Sequence, residues 1–113
     1  MSQSKELVAA SATPMILSIL NRGESYGYAI IKELRELSDS EIQWTDGMLY
    51  PVLRRLEKQD HVRSEWRVAD NGKRRRYYHL DKTGKAQLKE HKRQWTLTNS
   101  ILTKLWEGVP CST

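Results

Sequence analysis

Seven cations in two groups stand where they could meet a polyanion: Arg54, Arg55 and Lys58, then the unbroken run Lys73, Arg74, Arg75 and Arg76. A guanidinium stays charged at any physiological pH and presents five donors that match phosphate oxygens. Several such groups spread over one surface hold a nucleic-acid backbone through charge and counterion release. Tyr50 adds a hydroxyl that can donate to a phosphate, and Gly47 leaves little bulk beside it. From His61 to Arg93 there are eleven Lys or Arg against four Asp or Glu, within a chain of net charge +5 and pI 9.5. A basic excess confined to one region is the electrostatic footprint of a nucleic-acid or other anionic partner.

Enzyme chemistry has little support. His61, His79 and His91 share no metal-ligand spacing, and no metal or cofactor is expected. There is no glycine-rich phosphate loop and no nucleophile elbow. The only cysteine, Cys111, is the third residue from the end, so neither a disulfide framework nor a cysteine-rich metal site can form. No secretory signal is evident, and Met15–Leu20 is too short to span a bilayer, so a cytoplasmic protein with no membrane partner is expected.

The cations must be positioned by regular elements. Leu49, Val52, Leu53 and Leu56 fall at i, i+3, i+4 and i+7, which is one apolar stripe of a helix. Gly47, Pro51, Arg54 and Lys58 then point away from the stripe, with Tyr50 and Arg55 on its flanks. Taken alone, the stretch could be an ordinary surface helix with solvated cations. Pro51 should disturb the first turn or delay the regular helix. An earlier helix is expected from Tyr26 to about Leu37, capped by Ser25, with Ile30, Leu34 and Leu37 as its stripe and Gly27 allowing close backbone approach. Before it, Thr13-Pro14 reads as a helix start, and Met15, Ile16, Ile19 and Leu20 as its buried face; Lys5 to Ala12 could be helical too, in which case Pro14 would kink or divide that helix.

After Gln59-Asp60 the pattern becomes strand-like. Asn71-Gly72 lies between a run around Val62–Val68 and a second run ending Tyr77-Tyr78-His79-Leu80, which marks a hairpin with a cationic tip. Asp81 caps a long final helix from about Lys82 to Trp106. Leu88, Trp95 and Leu102 repeat every seven residues along it, Leu105 extends the stripe, and Leu97 and Ile101 add a second patch. A terminal helix has little of its own domain to cover these, so a second copy is the expected partner. Leu88, Trp95, Leu102, Leu105 and Trp106 are the expected interface, with internal packing as the alternative. Trp44 and Trp66 read as core or hairpin packing.

Three helices followed by a basic hairpin is the order of a winged helix, in which the second and third helices form a helix-turn-helix. At this point the chain resembles the PadR family of bacterial transcriptional regulators, in its short form. Tyr26-Gly27-Tyr28-Ala29-Ile30-Ile31-Lys32 resembles the second-helix motif, and Leu49-Tyr50-Pro51-Val52-Leu53-Arg54-Arg55-Leu56-Glu57 the recognition helix. Gly72-Lys73-Arg74-Arg75-Arg76-Tyr77-Tyr78-His79-Leu80 resembles the wing, and Gly84 the glycine that follows. Asp60 stands where the family usually has Gly, Asp81 where Thr is usual, and Met48 in place of a common Thr.

The resemblance implies a homodimeric winged-helix repressor whose last helix contacts its partner, on a roughly palindromic double-stranded operator. It also implies that Trp95 pairs with its dimer mate around a flat aromatic effector; a plain interface anchor is the other reading. The expected DNA contacts are Tyr26, Gly47, Tyr50, Arg54, Arg55, Lys58, Lys73, Arg74, Arg75 and Arg76. The fold class is α+β, mainly α. Residues 1–80 would form the winged-helix domain with its N-terminal helical arm, 81–107 the dimerisation helix and 108–113 a mobile tail. The rival function is a winged-helix protein-interaction module that does not read DNA sequence.

Overall fold

A computed structural model describes residues 4–108. The tail from 109 onward, with Cys111, lies outside the described residues. The first helix, α1, spans Lys5–Asn21 and runs through Pro14 without a break. Lys5 to Ala12 is thus helical, and the expected start at Thr13-Pro14, or division of the helix at Pro14, is corrected. Ser4 is the N-cap, its Oγ accepting from the Leu7 amide at 3.2 Å. Pro14 deletes one ladder bond, but Ser11, Ala12, Ile16, Leu17, Ile19 and Leu20 are all buried. Tertiary packing on that scale outweighs the roughly 3 kcal/mol that an interior proline costs.

Ser25 is not a cap. With Tyr26 it forms a two-residue strand, β1, and the cap position passes to Tyr26. Helix α2 covers Gly27–Leu37 and buries Ile30 and Leu34, while Leu37 is exposed at its end. Residues 38–40 close the helix, Asp39 and Ser40 both adopting left-handed backbone. Residues 41–44 are irregular, and Trp44 is buried in the core, as expected of it.

Helix α3 spans Asp46–Lys58. It starts without delay: the amides of Met48 and Leu49 both reach the Thr45 carbonyl, at 3.0 and 3.1 Å. Pro51 is accommodated inside the helix. Leu49, Leu53 and Leu56 are buried as their spacing predicts, with Val52 half-buried against the core. Asp60 ends the turn at φ 60°, a left-handed conformation that Asp tolerates better than most residues.

Strands β2 (Val62–Val68) and β3 (Arg74–Leu80) form the hairpin, and the sheet order is β1-β3-β2, antiparallel throughout. The Gly72 amide bonds to the Ala69 carbonyl at 2.8 Å and the Ala69 amide to the Lys73 carbonyl at 2.7 Å. Gly72 sits at φ 82°. This is a three-residue loop with a glycine bulge, the next most common hairpin class after the two-residue turn. Helix α4 covers Lys82–Trp106, capped by Asp81 accepting from the Lys82 amide at 2.9 Å. Gly84 is required there: a side chain would overlap the His61 backbone carbonyl and Leu80. The core is Ile16 and Leu17 of α1, Ile30 of α2, Leu49, Leu53 and Leu56 of α3, and Val62 of β2. It holds α3 and the hairpin on one side of the molecule.

Candidate nucleic-acid interface

Helix α3, the start of α2 and the hairpin enclose a cleft of about 720 Å³, lined by Tyr26, Gly27, Tyr28, Tyr50, Arg54, Trp66, Lys73, Arg74, Arg75, Arg76 and Tyr78. Seven of the ten expected DNA contacts are therefore brought together: Tyr26, Tyr50, Arg54 and Lys73 through Arg76. Three are not in this lining. Gly47 lies one turn away on the exposed first turn of α3, and Lys58 is exposed at its end. Arg55 turns back across the molecule, its Nη2 donating to Thr13 Oγ1 of α1 at 2.6 Å. It lines a second groove of about 460 Å³, with Trp44, Met48 and Val52.

The run Arg74-Arg75-Arg76 lines the cleft from both faces of the hairpin, because successive strand residues point to opposite faces of the sheet. Arg74 and Arg76 share a face with Trp66, at 5.1 and 6.0 Å from its ring centroid. Arg75 occupies the other face, 4.5 Å above the Tyr26 ring. Tyr26 meets Tyr77 edge-on at 5.4 Å, and Arg67 lies 4.3 Å over Tyr77. Glu24 pairs with Arg67, whose guanidinium holds the Glu24 carboxyl below its ordinary value. Arg67 also bonds Glu65 at 2.9 Å. That face thus pins its Arg67, while Arg75 remains stacked but without a carboxylate partner among the described residues.

Trp66 packs on the hairpin, against Arg74 and Arg76, and not in the core. It is 57% exposed and stands among the cations of the cleft. The register that Asn71-Gly72 imposes would have revealed this, since it sets Trp66 opposite Arg76 on the polar end of the wing. Tyr28, 65% exposed at the start of α2, is a second missed residue. Tyr78 is buried, and burial pushes its phenol up despite the opposing pull of Arg76.

The residues expected between copies divide. Leu88 is 3% exposed within a single chain, packed into the chain's own core, so it is not available as a contact. Trp95 borders an apolar groove of about 690 Å³ between α1, α2 and α4, with Pro14, Met15, Ile19, Leu34 and Leu88. Leu102 is half-buried, and Leu105 and Trp106 are exposed. Among the described residues no group of His, Cys, Asp or Glu is placed to hold a metal ion, and no helix is long and apolar enough to cross a membrane.

The three-helix core, three-stranded sheet and basic cleft define a winged-helix DNA-binding protein. The sequence profile of the transcriptional regulator PadR-like family matches residues 16–90, and the chain belongs to that family. A transcriptional regulator from Clostridium thermocellum superposes with a TM-score of 0.80 at 31% identity, over 88% of this chain and 97% of that one. A PadR family regulator from Eggerthella lenta is 36% identical, with a TM-score of 0.74 over 90% of this chain and 87% of that one. One from Clostridium difficile is 31% identical, with a TM-score of 0.75 over 85% and 98%. The chain is a DNA-binding transcriptional regulator and not an enzyme.

Proposed function

We propose that the chain is a homodimeric repressor of the cytoplasm, in which residues 1–80 read DNA and α4 joins two copies. Arg54 and Lys58 reach the major groove from α3, with Tyr50 donating to a phosphate near Gly47. Tyr26, Lys73, Arg74 and Arg75 meet the flanking backbone or minor groove, where arginine is a common insert. Arg55 joins them only by releasing Thr13. The operator is roughly palindromic, with half-sites about one helical turn, or 34–36 Å, apart. A planar aromatic compound seated at Trp95 releases the protein from DNA.

The observation that carries this reading is the shared cleft: Arg54 of α3 and the cations of the wing line one surface together with Tyr26 and Tyr50. A helix that fits a groove and a wing that reaches the adjacent backbone are the two parts that sequence-specific binding needs. The test is a titration of the protein against a labelled duplex from upstream of its own gene, followed by fluorescence anisotropy at fixed salt. Binding that weakens in the Arg74/Arg75/Arg76 triple alanine variant is expected. No binding by the wild type at low salt would favour a protein-interaction module instead.

A further inference from the structure

Arg76 differs from its neighbours in what holds it. Its Nε donates to Ser64 Oγ at 2.8 Å, and its Nη2 lies 3.3 Å from both carboxylate oxygens of Glu57. Ser64 in turn donates to Glu57 Oε2 at 2.8 Å. Three elements meet in this triangle: the last turn of α3, β2 and β3. The Glu57 side chain is only 24% exposed. Arg74, on the same face of the hairpin, has no carboxylate within salt-bridge distance among the described residues.

Glu57 stands in an unfavourable place by two criteria. An anion in the last turn of a helix meets the negative end of the macrodipole. A carboxylate beside a phosphate-seeking surface also repels the ligand. The position is accounted for by the network it forms, which is closed: the hydroxyl gives its hydrogen to the acid and accepts one from the guanidinium. Networks of this kind, with each member satisfied, fix geometry more than single pairs do.

The geometry points to a clamp in which Glu57, Ser64 and Arg76 lock the wing against α3, making Arg76 a positioning residue rather than a phosphate contact. The inference rests on the DNA-binding reading above and narrows it. Helix and wing must engage the groove and the adjacent backbone at once, so their fixed relation selects the duplex shapes that satisfy both. A loosened wing still finds phosphates on any sequence. Loss of the clamp therefore costs discrimination more than affinity.

The experiment uses the full chain, a duplex selected by the wild type from a random library, and a shuffled duplex of equal composition, each titrated at several salt concentrations. Arg74→Ala should lower the log–log salt slope by about 0.9, the signature of one lost phosphate contact. Arg76→Ala should leave the slope unchanged and lower the selected-to-shuffled affinity ratio by about tenfold, the scale of one coupled network interaction. Glu57→Gln should lower the ratio similarly while tightening binding to the shuffled duplex, because the guanidinium is set free. The exchanged pair Glu57→Arg/Arg76→Glu should regain most of the ratio that Arg76→Glu alone loses, a rescue unavailable to a plain phosphate contact. It also decides the matter should Arg76→Ala fail to fold. A slope lowered equally by Arg76→Ala and Arg74→Ala, or no rescue by the folded exchanged pair, overturns the clamp and leaves the DNA reading standing. Absence of wild-type binding to any duplex at low salt overturns both.

Discussion

The Tyr50 ring lies over Gly27 so closely that a Cβ on Gly27 would overlap the Tyr50 hydroxyl. Gly27 is the buried first residue of α2, and Tyr50 is in the second turn of α3, so this contact is where the two helices of the helix-turn-helix touch beside the cleft. The glycine is there for close approach, and what it admits is the residue expected to meet phosphate. Gly27→Ala should force the ring outward. Overpacking of this kind costs about 1–3 kcal/mol, and the lower end is expected because the ring is partly exposed. Operator affinity should fall with it. In a Tyr50→Ala background the same substitution should be neutral or slightly stabilising, since alanine is the better helix former. Urea melts of the four proteins check this; strictly additive costs would show that the clash is not with Tyr50.

What was readable in the sequence was what neighbouring residues decide. The stripe Leu49, Leu53, Leu56 declares a helix and its buried side by spacing alone, and Asn71-Gly72 declares the hairpin. Asp81 as the cap of α4 and the left-handed Asp60 are equally local. The misreadings needed distant partners. Pro14 breaks a helix unless packing outweighs the lost bond, and that depends on what surrounds α1. Strand β1 exists because β3 offers it an edge. Arg55, free by its position on α3, is held by Thr13, 42 residues away. Charge and spacing located the basic surface, but which of its cations stay free is settled by tertiary contacts that no periodicity encodes.

Trp95 borders a groove of about 690 Å³, within the range of small-molecule sites. Of the other tryptophans, Trp44 is buried beside a different groove, Trp66 is on the wing, and Trp106 is exposed near the end of α4. Planar aromatic compounds should therefore quench the fluorescence of Trp95 selectively. The quenching should disappear in Trp95→Ala and be retained in Trp66→Phe. Equal quenching with and without Trp95 would move the effector site elsewhere.

Asp81 links the base of the wing to α4. It accepts from Arg63 Nε at 2.8 Å and from the Lys82 amide at 2.9 Å. The Arg63 guanidinium, then the amide, hold its carboxyl below the usual carboxylate range. A depressed folded-state value stabilises the fold above the unfolded pKa, near 4 for aspartate. That contribution is lost as pH falls through the lower folded value. Asp81→Asn keeps an oxygen for the cap but removes the titration. Its melting temperature should be nearer to the wild type at neutral pH than that of Asp81→Ala, and it should fall less steeply below about pH 4. Thermal melts between pH 2 and 7 decide the point, and acid limbs of equal slope would count against it.

The seven-residue repeat of α4 passes through two environments. Leu88 is 3% exposed and belongs to the core, whereas Leu105, further along the same stripe, is 63% exposed. The helix has 25 residues, so at 1.5 Å per residue it is about 37 Å long and outruns the core it starts on. Leu88→Ala should destabilise the chain by about 2–5 kcal/mol through the cavity it leaves. Leu105→Ala and Trp106→Ala should leave that internal packing alone and weaken self-association. In the proposed dimer, melting temperature rises with protein concentration, because association stabilises only the folded state. The Leu105 and Trp106 variants should lose that dependence and sediment as single chains at concentrations where the wild type is paired. A Leu105→Ala/Trp106→Ala double variant with wild-type mass and wild-type concentration dependence would place the contact between copies on another face.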